Sequence, residues 1–364
     1  MMFNAKKEQT LSSATQLGDV PAWPKTIRDT EQLDELLTRP TLGLVGSLRR
    51  VPGDIVILGV AGKMGVTLAR QAQRASELAK TKRRIVGVAR FSKPAEREKL
   101  ESWGIETVTG DLLDEKVLAS LPDAPNVIYM AGMKFGATGN ESLTWAMNTM
   151  LPALVCRRYL KSRIVAFSTG NIYGLVPISS GGAVETDPLN AAGDYAMSCV
   201  GRERIFEHFA KSHGTKVAIA RVYYACEMRY GVLVDIAQKV FSGETIDLAM
   251  GHFATIWQGD ANAMCIQMLE QAASPAFPLN VCGPELLSVR HVATEFGELM
   301  GKPVKFSGEE SPDAILGNAS RCQQLYGPPS VTIRQMIEWI ADWISRGGES
   351  LGKPTHFEAR DGKY

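Results

Sequence analysis

The sequence predicts an α/β protein, a doubly wound parallel sheet followed by a smaller, mostly helical lobe. Three observations carry this. Short apolar runs rich in β-branched residues recur six times between residues 54 and 222, helical segments alternate with them, and a glycine-spaced turn sits directly behind the first run. Parallel neighbours need crossover helices, and strands buried on both faces read as continuous apolar runs.

The elements follow in order. Residues 1 to about 24 are polar with two prolines near their end, and are expected to form a surface-draped arm. "TEQLDELLTRP" and "TLGLVGSLRR" suggest two short helices, closed off by Pro52-Gly53. "DIVILG" is the first strand; in the helix behind it Leu68, Ala72, Ala75 and Leu78 fall at helical spacing. Strand and helix then alternate: "RIVGVA" before "PAEREKLESW", "IETVTG" before "DEKVLASL", "NVIYMAG" before "ESLTWAMNTMLPALVCRRYL", "RIVAFST" before a helix opening at Tyr195, and finally "KVAIARV". Beyond residue 224 the alternation weakens into helices and short strands.

Composition narrows the function. In 364 residues, 40 Lys and Arg nearly balance 39 Asp and Glu, for a net charge of +1, with no basic tail or stripe. Nucleic acid and membrane surfaces are poor partners for such a chain. No apolar run reaches the roughly 18 residues of a membrane span, and the first residues lack a secretory core, so a cytoplasmic location is expected. Six scattered cysteines form no C-x-x-C pair and five histidines show no ligand spacing, so reduced thiols and no metal are expected.

Gly59, Gly62 and Gly65 form a G-x-x-G-x-x-G turn with Lys63 and Met64 inside it, between a buried strand and a helix. Glycines there let backbone N–H groups approach a pyrophosphate at a helix N-terminus, which makes residues 54–224 a Rossmann-type dinucleotide-binding domain. Residues 1–53 then form the arm and short helices, and residues 225–364 a substrate lobe with some segments returning to the sheet. A dinucleotide site usually ends its second strand in a carboxylate that accepts from the ribose; here the strand ends in Arg90, followed by Ser92 and Lys93. Arg90 can neutralise a 2′-phosphate, so NADP is favoured over NAD, the alternative being a solvated cation beside a turn.

Taken in order, the spaced glycines, "GDLLD", "MAG", Asn148, "FSTGNIYG", Tyr195, "ARVYY", "WQGD", "LNVCGPELLSVRHVA" and "NASRCQQLYG" resemble the extended short-chain dehydrogenase/reductase superfamily over roughly residues 54 to 345. The resemblance implies that Asp111 and Leu112 hold adenine, that Ala131, Gly132 and Lys134 lie along the cofactor, and that Thr169, Tyr195 and Asn148 are catalytic. Ser168, Asn171 and Tyr223, in the same matched segments, become substrate-binding candidates. It also implies a homodimer built through the helices carrying Asn148 and Tyr195.

Chemistry agrees on the tyrosine. Hydride transfer at a carbinol carbon needs a proton moved at its oxygen, and a phenol held by a hydroxyl can move it. Where the family has a lysine that lowers the tyrosine pKa, this chain has Cys199. Arg202, at i+7 from Tyr195, or Lys134 can supply the missing charge; the charge of oxidised cofactor can sustain slow chemistry; or the protein binds nucleotide without catalysis. Cys199 itself reads as a small half-buried helix residue rather than a nucleophile.

Nucleotide-sugar members place an arginine seven residues before an aspartate that corresponds to Asp260. Here that position is Phe253, with His252 beside it, and Arg229 is the remaining anion-binding candidate, or else a surface cap. The expected activity is therefore that of an NADP-dependent oxidoreductase or epimerase on a sugar, sugar acid or similar polyhydroxylated small molecule. The alternatives are a nucleotide-binding sensor and a nucleotide-sugar epimerase or dehydratase.

Overall fold

The computed structural model describes residues 22–134 and 139–362, so the expected arm up to residue 21 lies outside the described residues. Seven strands form one parallel sheet: β1 (Ile55–Leu58), β2 (Ile85–Ala89), β3 (Glu106–Thr109), β4 (Asn126–Tyr129), β5 (Arg163–Thr169), β6 (Lys216–Val222) and β7 (Phe277–Val281). Their spatial order is β7-β6-β5-β4-β1-β2-β3. Six are the strands read from the sequence. The seventh returns from the C-terminal half and pairs with β6 from Phe277 against Ala218 to Val281 against Val222. Its Pro278 lacks an N–H, and the strand sits at the sheet edge, where such a residue is tolerated.

Alternate residues of β1 feed opposite faces. Ile55 and Ile57 join one core and Val56 and Leu58 another, all fully buried. The helix Gly65–Leu78 covers the first of these cores with fully buried Leu68, Ala72 and Ala75. Leu78, expected on the same stripe, is the last helical residue and is 46% exposed. A third core lies in the lobe around Phe253, Trp257, Phe296 and Trp339, and it takes in Leu33, Leu36 and Leu37 of the N-terminal helix Thr30–Leu37. Each such leucine contributes about 1.5–3 kcal/mol by burial, which ties the N-terminal helices to the folded body.

Strand order reverses on either side of β1, whose neighbours are β2 and β4. In doubly wound sheets the crevice at the C-terminal ends of such strands is where ligands bind. The chain after the helix Ile333–Ser345 returns across this crevice without forming helix or strand, so its path has no periodicity for a sequence pattern to reveal. No helix among the described residues is long and apolar enough to cross a membrane.

Candidate active site

The glycine turn is sterically compulsory. Gly59 has φ +90°, and a Cβ there would lie 2.7 Å from the Ala131 backbone nitrogen; one at Gly65 would lie 2.3 Å from the Val60 carbonyl oxygen. The helix that follows begins after Met64 with no side-chain cap, leaving its first N–H groups directed at the crevice. Two cavities meet at Gly59, Gly62 and Met130. One, of about 420 Å³, is lined by Arg90, Asp111, Leu112, Ala131 and Gly132. The other, of about 250 Å³, is lined by Lys63, Met64, Lys134, Ser168, Thr169, Asn171, Tyr195 and Tyr223. Together the two cavities run from Arg90 past the glycine turn to Tyr195.

Tyr195 sits in the first turn of the helix Gly193–His213 and lines the same cavity as Thr169, with the Thr169 hydroxyl and the Cys199 thiol both close enough to act on its pKa. Thr169, at the end of β5, is itself fixed: its hydroxyl donates to Asn171 Oδ1 at 3.0 Å and accepts from the Asn171 N–H at 3.2 Å. Burial drives the Tyr195 pKa well above that of a free phenol, and the positive charge of Arg202 pulls it back down. The fully buried Cys199 thiol is likewise pushed up by burial, so it stays protonated beside the phenol. Lys134 places its Nζ 6.0 Å from the centre of the Tyr195 ring, donates to the Thr355 carbonyl at 3.4 Å, and is lowered by burial to about 8.

Arg202 is buried behind these groups. It donates from Nη1 to the Phe167 carbonyl at 2.8 Å and from Nη2 to Asn148 Oδ1, while its Nε has no hydrogen-bond partner and no carboxylate among the described residues forms an ion pair with it. A Cβ at Gly132 would meet Nη2 at 2.2 Å, so this glycine is needed to admit the guanidinium.

Asn148, expected to be catalytic, does not face the cavity. It is fully buried, accepts from the Met133 N–H at 3.0 Å, and donates to the Met133 carbonyl at 3.1 Å and to Ser198 at 2.9 Å. It lies in a π-helical turn, Ala146–Met150, and fixes both Arg202 and the loop after β4.

The structure places the other residues singled out in the sequence as follows. Arg229 lines neither cavity, because Glu227 holds its Nε at 3.1 Å and Asp34 lies 3.6 Å away. The side chain of Lys63 crosses into the smaller cavity, donating to the Ala225 carbonyl at 2.7 Å with its Nζ 3.7 Å from the centre of the Tyr230 ring, and burial lowers it to about 7. Ser168 commits its hydroxyl hydrogen to Glu203 at 2.5 Å. Tyr223 packs its ring where a Cβ on Gly170 or Gly317 would intrude to 2.2 and 2.4 Å. Phe253 is buried in the lobe core, and Asp260 accepts from Ser330 and the Val331 N–H, both structural positions.

Sequence reading missed three features. Lys353 and Thr355 reach the cavities from the C-terminal segment, which carries no pattern. Arg221 forms a fully buried ion pair with Glu203 at 2.7 Å. An arginine inside the apolar run "KVAIARV" was the available signal, since a buried charge requires a partner.

Residues 55–226 match the NAD dependent epimerase/dehydratase family. No curated protein matches the chain by sequence. Among solved structures it is similar to UDP-glucuronic acid 4-epimerase from Bacillus cereus in complex with NAD, at 16% identity and TM-score 0.66 over 82% of this chain and 99% of that chain. It is similar also to dTDP-glucose 4,6-dehydratase from Bacillus anthracis str. Ames in complex with NAD, at 15% identity and TM-score 0.68 over 80% and 96%. A third is UDP-glucose 4-epimerase from Thermotoga maritima with UDP-glucose, at 16% identity and TM-score 0.66 over 81% and 99%. At these identities the likeness establishes a shared fold.

Proposed function

Since residues 55–226 are a domain of the NAD-dependent epimerase/dehydratase family, we propose that the chain is an NAD(P)-dependent oxidoreductase, or an epimerase working through transient oxidation. The substrate in this reading is a sugar, sugar acid or similar polyhydroxylated alcohol. Bound nicotinamide supplies or accepts the hydride. The chain holds the diphosphate with the glycine turn and the helix N-terminus, and moves the proton at the substrate oxygen with Tyr195, positioned by Thr169.

The observation that carries this reading is the buried Arg202, which has no carboxylate in contact among the described residues and whose charge lowers the Tyr195 pKa. In this reading it supplies the positive potential of the family's lysine, and Lys134, with its Nζ 6.0 Å from the centre of the Tyr195 ring, adds to it. NADP is favoured over NAD because Arg90 and Lys93 line the larger cavity and neither forms an ion pair among the described residues. A homodimer through the helices around Asn148 and Tyr195 is supported by the exposed Leu143, Met150 and Met197. Six free, buried cysteines are consistent with a cytoplasmic protein.

A nucleotide-sugar substrate is the second reading. It is favoured by a further cavity of about 310 Å³ that shares Asn171 and Ile315 with the catalytic one and ends at Arg360. The deciding assay is hydride transfer with a panel of sugars, sugar acids and nucleotide sugars. Tyr195→Phe should cut turnover at least about a thousandfold while cofactor affinity is unchanged, the scale of a lost acid/base group. Turnover within tenfold of the unmodified protein would overturn the assignment, and tight cofactor binding with no turnover on any substrate would favour a sensor.

A further inference from the structure

The segment after the last helix is anchored at every few residues. The Leu351 N–H donates to the Arg229 carbonyl at 3.1 Å, and Thr355 donates its N–H and hydroxyl to Asp235 Oδ2 at 2.8 and 2.5 Å. Phe357 is 1% exposed in the lobe core, Glu358 pairs with Lys239, and Arg360 pairs with Asp313. Between these anchors Lys353 lines the larger cavity and Thr355 the smaller, where its carbonyl accepts from Lys134. Two residues of sequence therefore bridge both ends of the crevice.

At the larger cavity Lys353 joins Arg90 and Lys93. None of the three forms an ion pair among the described residues, although Glu96 and Asp111 line the same space. Lys93 and Lys353 act on Glu96 only from beyond contact, and Asp111 accepts from the Leu113 N–H at 3.0 Å. Three cations converging on one concavity without contact neutralisation favour a bound anion, and Ser92 adds a hydroxyl donor beside them.

We propose that residues 349–362 are a strap that completes the cofactor site, with Lys353 as the third cation of a phosphate-monoester subsite that takes the 2′-phosphate of NADP(H). This rests on the cofactor reading above and adds a residue that lies outside the Rossmann domain. The strap would then contribute to cofactor choice directly, through one side chain, while its anchors on Asp235 and the lobe core hold that side chain in place.

Binding of 2′,5′-ADP and 5′-AMP, which differ by the 2′-phosphate alone, tests this by calorimetry on the full chain. The unmodified protein should prefer 2′,5′-ADP. Lys353→Gln should lower 2′,5′-ADP affinity about five- to tenfold, the scale of one charge-assisted contact, and leave 5′-AMP unchanged. Lys353 is exposed, so the folded state should be unaffected, which a thermal unfolding midpoint checks. Hydrogen exchange in residues 351–358 should slow more with 2′,5′-ADP than with 5′-AMP. If the unmodified protein discriminates and Lys353→Gln still does, the strap inference fails and the cofactor reading stands. Equal weakening of both ligands would mean a merely structural lysine and also overturns it. If the unmodified protein does not discriminate, both the NADP reading and the strap inference fall.

Discussion

Two buried arginines, Arg202 and Arg221, are held in opposite ways. Arg221, near the end of β6, gives Nε and Nη2 to Glu203 at 3.2 and 2.7 Å, and Nη1 to the Tyr173 hydroxyl and, at 3.0 Å, to the Glu185 carbonyl. Arg202, one residue before that same Glu203, has a carbonyl, an amide oxygen and an unpartnered Nε. Successive helical residues point about 100° apart, so Glu203 turns toward Arg221 and acts on Arg202 only from beyond contact. A buried charge with its countercharge in contact braces the fold and projects little field beyond the pair. One with no countercharge in contact is less fully offset and keeps more of its field. Here that field falls on Tyr195 and Cys199, where a phenol must be made acidic.

The sharpest way to break the contrast is Arg221→Met, which strands a fully buried carboxylate. It should destabilise the protein by about 3–5 kcal/mol in denaturant unfolding, and the added change Glu203→Gln should recover part of that. A loss below about 1 kcal/mol would mean that the pair does not brace the fold. Arg202→Met comes next. Stability should fall by about 1–3 kcal/mol, less than for Arg221→Met, since the Phe167 carbonyl and Asn148 lose a donor but no carboxylate in contact is stranded, while turnover falls on the order of a hundredfold. Full activity after losing both Arg202 and Lys134 would sink the idea of a substitute cation. The smallest effect is expected from Cys199→Lys. With Arg202 already behind Tyr195, a second cation disfavours the first, so turnover should stay level or fall about tenfold. A rise in turnover would instead mark a site that had simply decayed.

Much of the fold was legible because its cause is local. Continuous β-branched runs and the 3.6-residue stripe of Leu68, Ala72 and Ala75 follow from burial of neighbouring positions. The edge strand Phe277–Val281 was harder to read, because Pro278 and Asn280 break up its apolar run. Within the site, Thr169 and Tyr195 line one cavity, the juxtaposition that the family pattern implied. Asn148 was drawn to the cavity by its motif, although its amide is spent on Met133, Ser198 and Arg202. Arg229 looked available because its partners were out of view: Glu227 lies two residues before it, and Asp34 lies in the N-terminal helix.

By itself the sequence determined the alternating α/β architecture, the glycine turn that only unsubstituted Cα atoms can make, and the tyrosine at the head of its helix, since each depends on residues within a few positions of one another. Only the tertiary structure decided which buried cation would be left without a carboxylate, where the Lys63 side chain would reach, and that a patternless C-terminal segment would bring Lys353 and Thr355 to the crevice. Those outcomes depend on pairings between distant segments and on coil whose path is set by its anchors. Neither leaves a period in the chain, because what selects them is the cost of leaving a charge or a polar group unpaired once the whole core has closed.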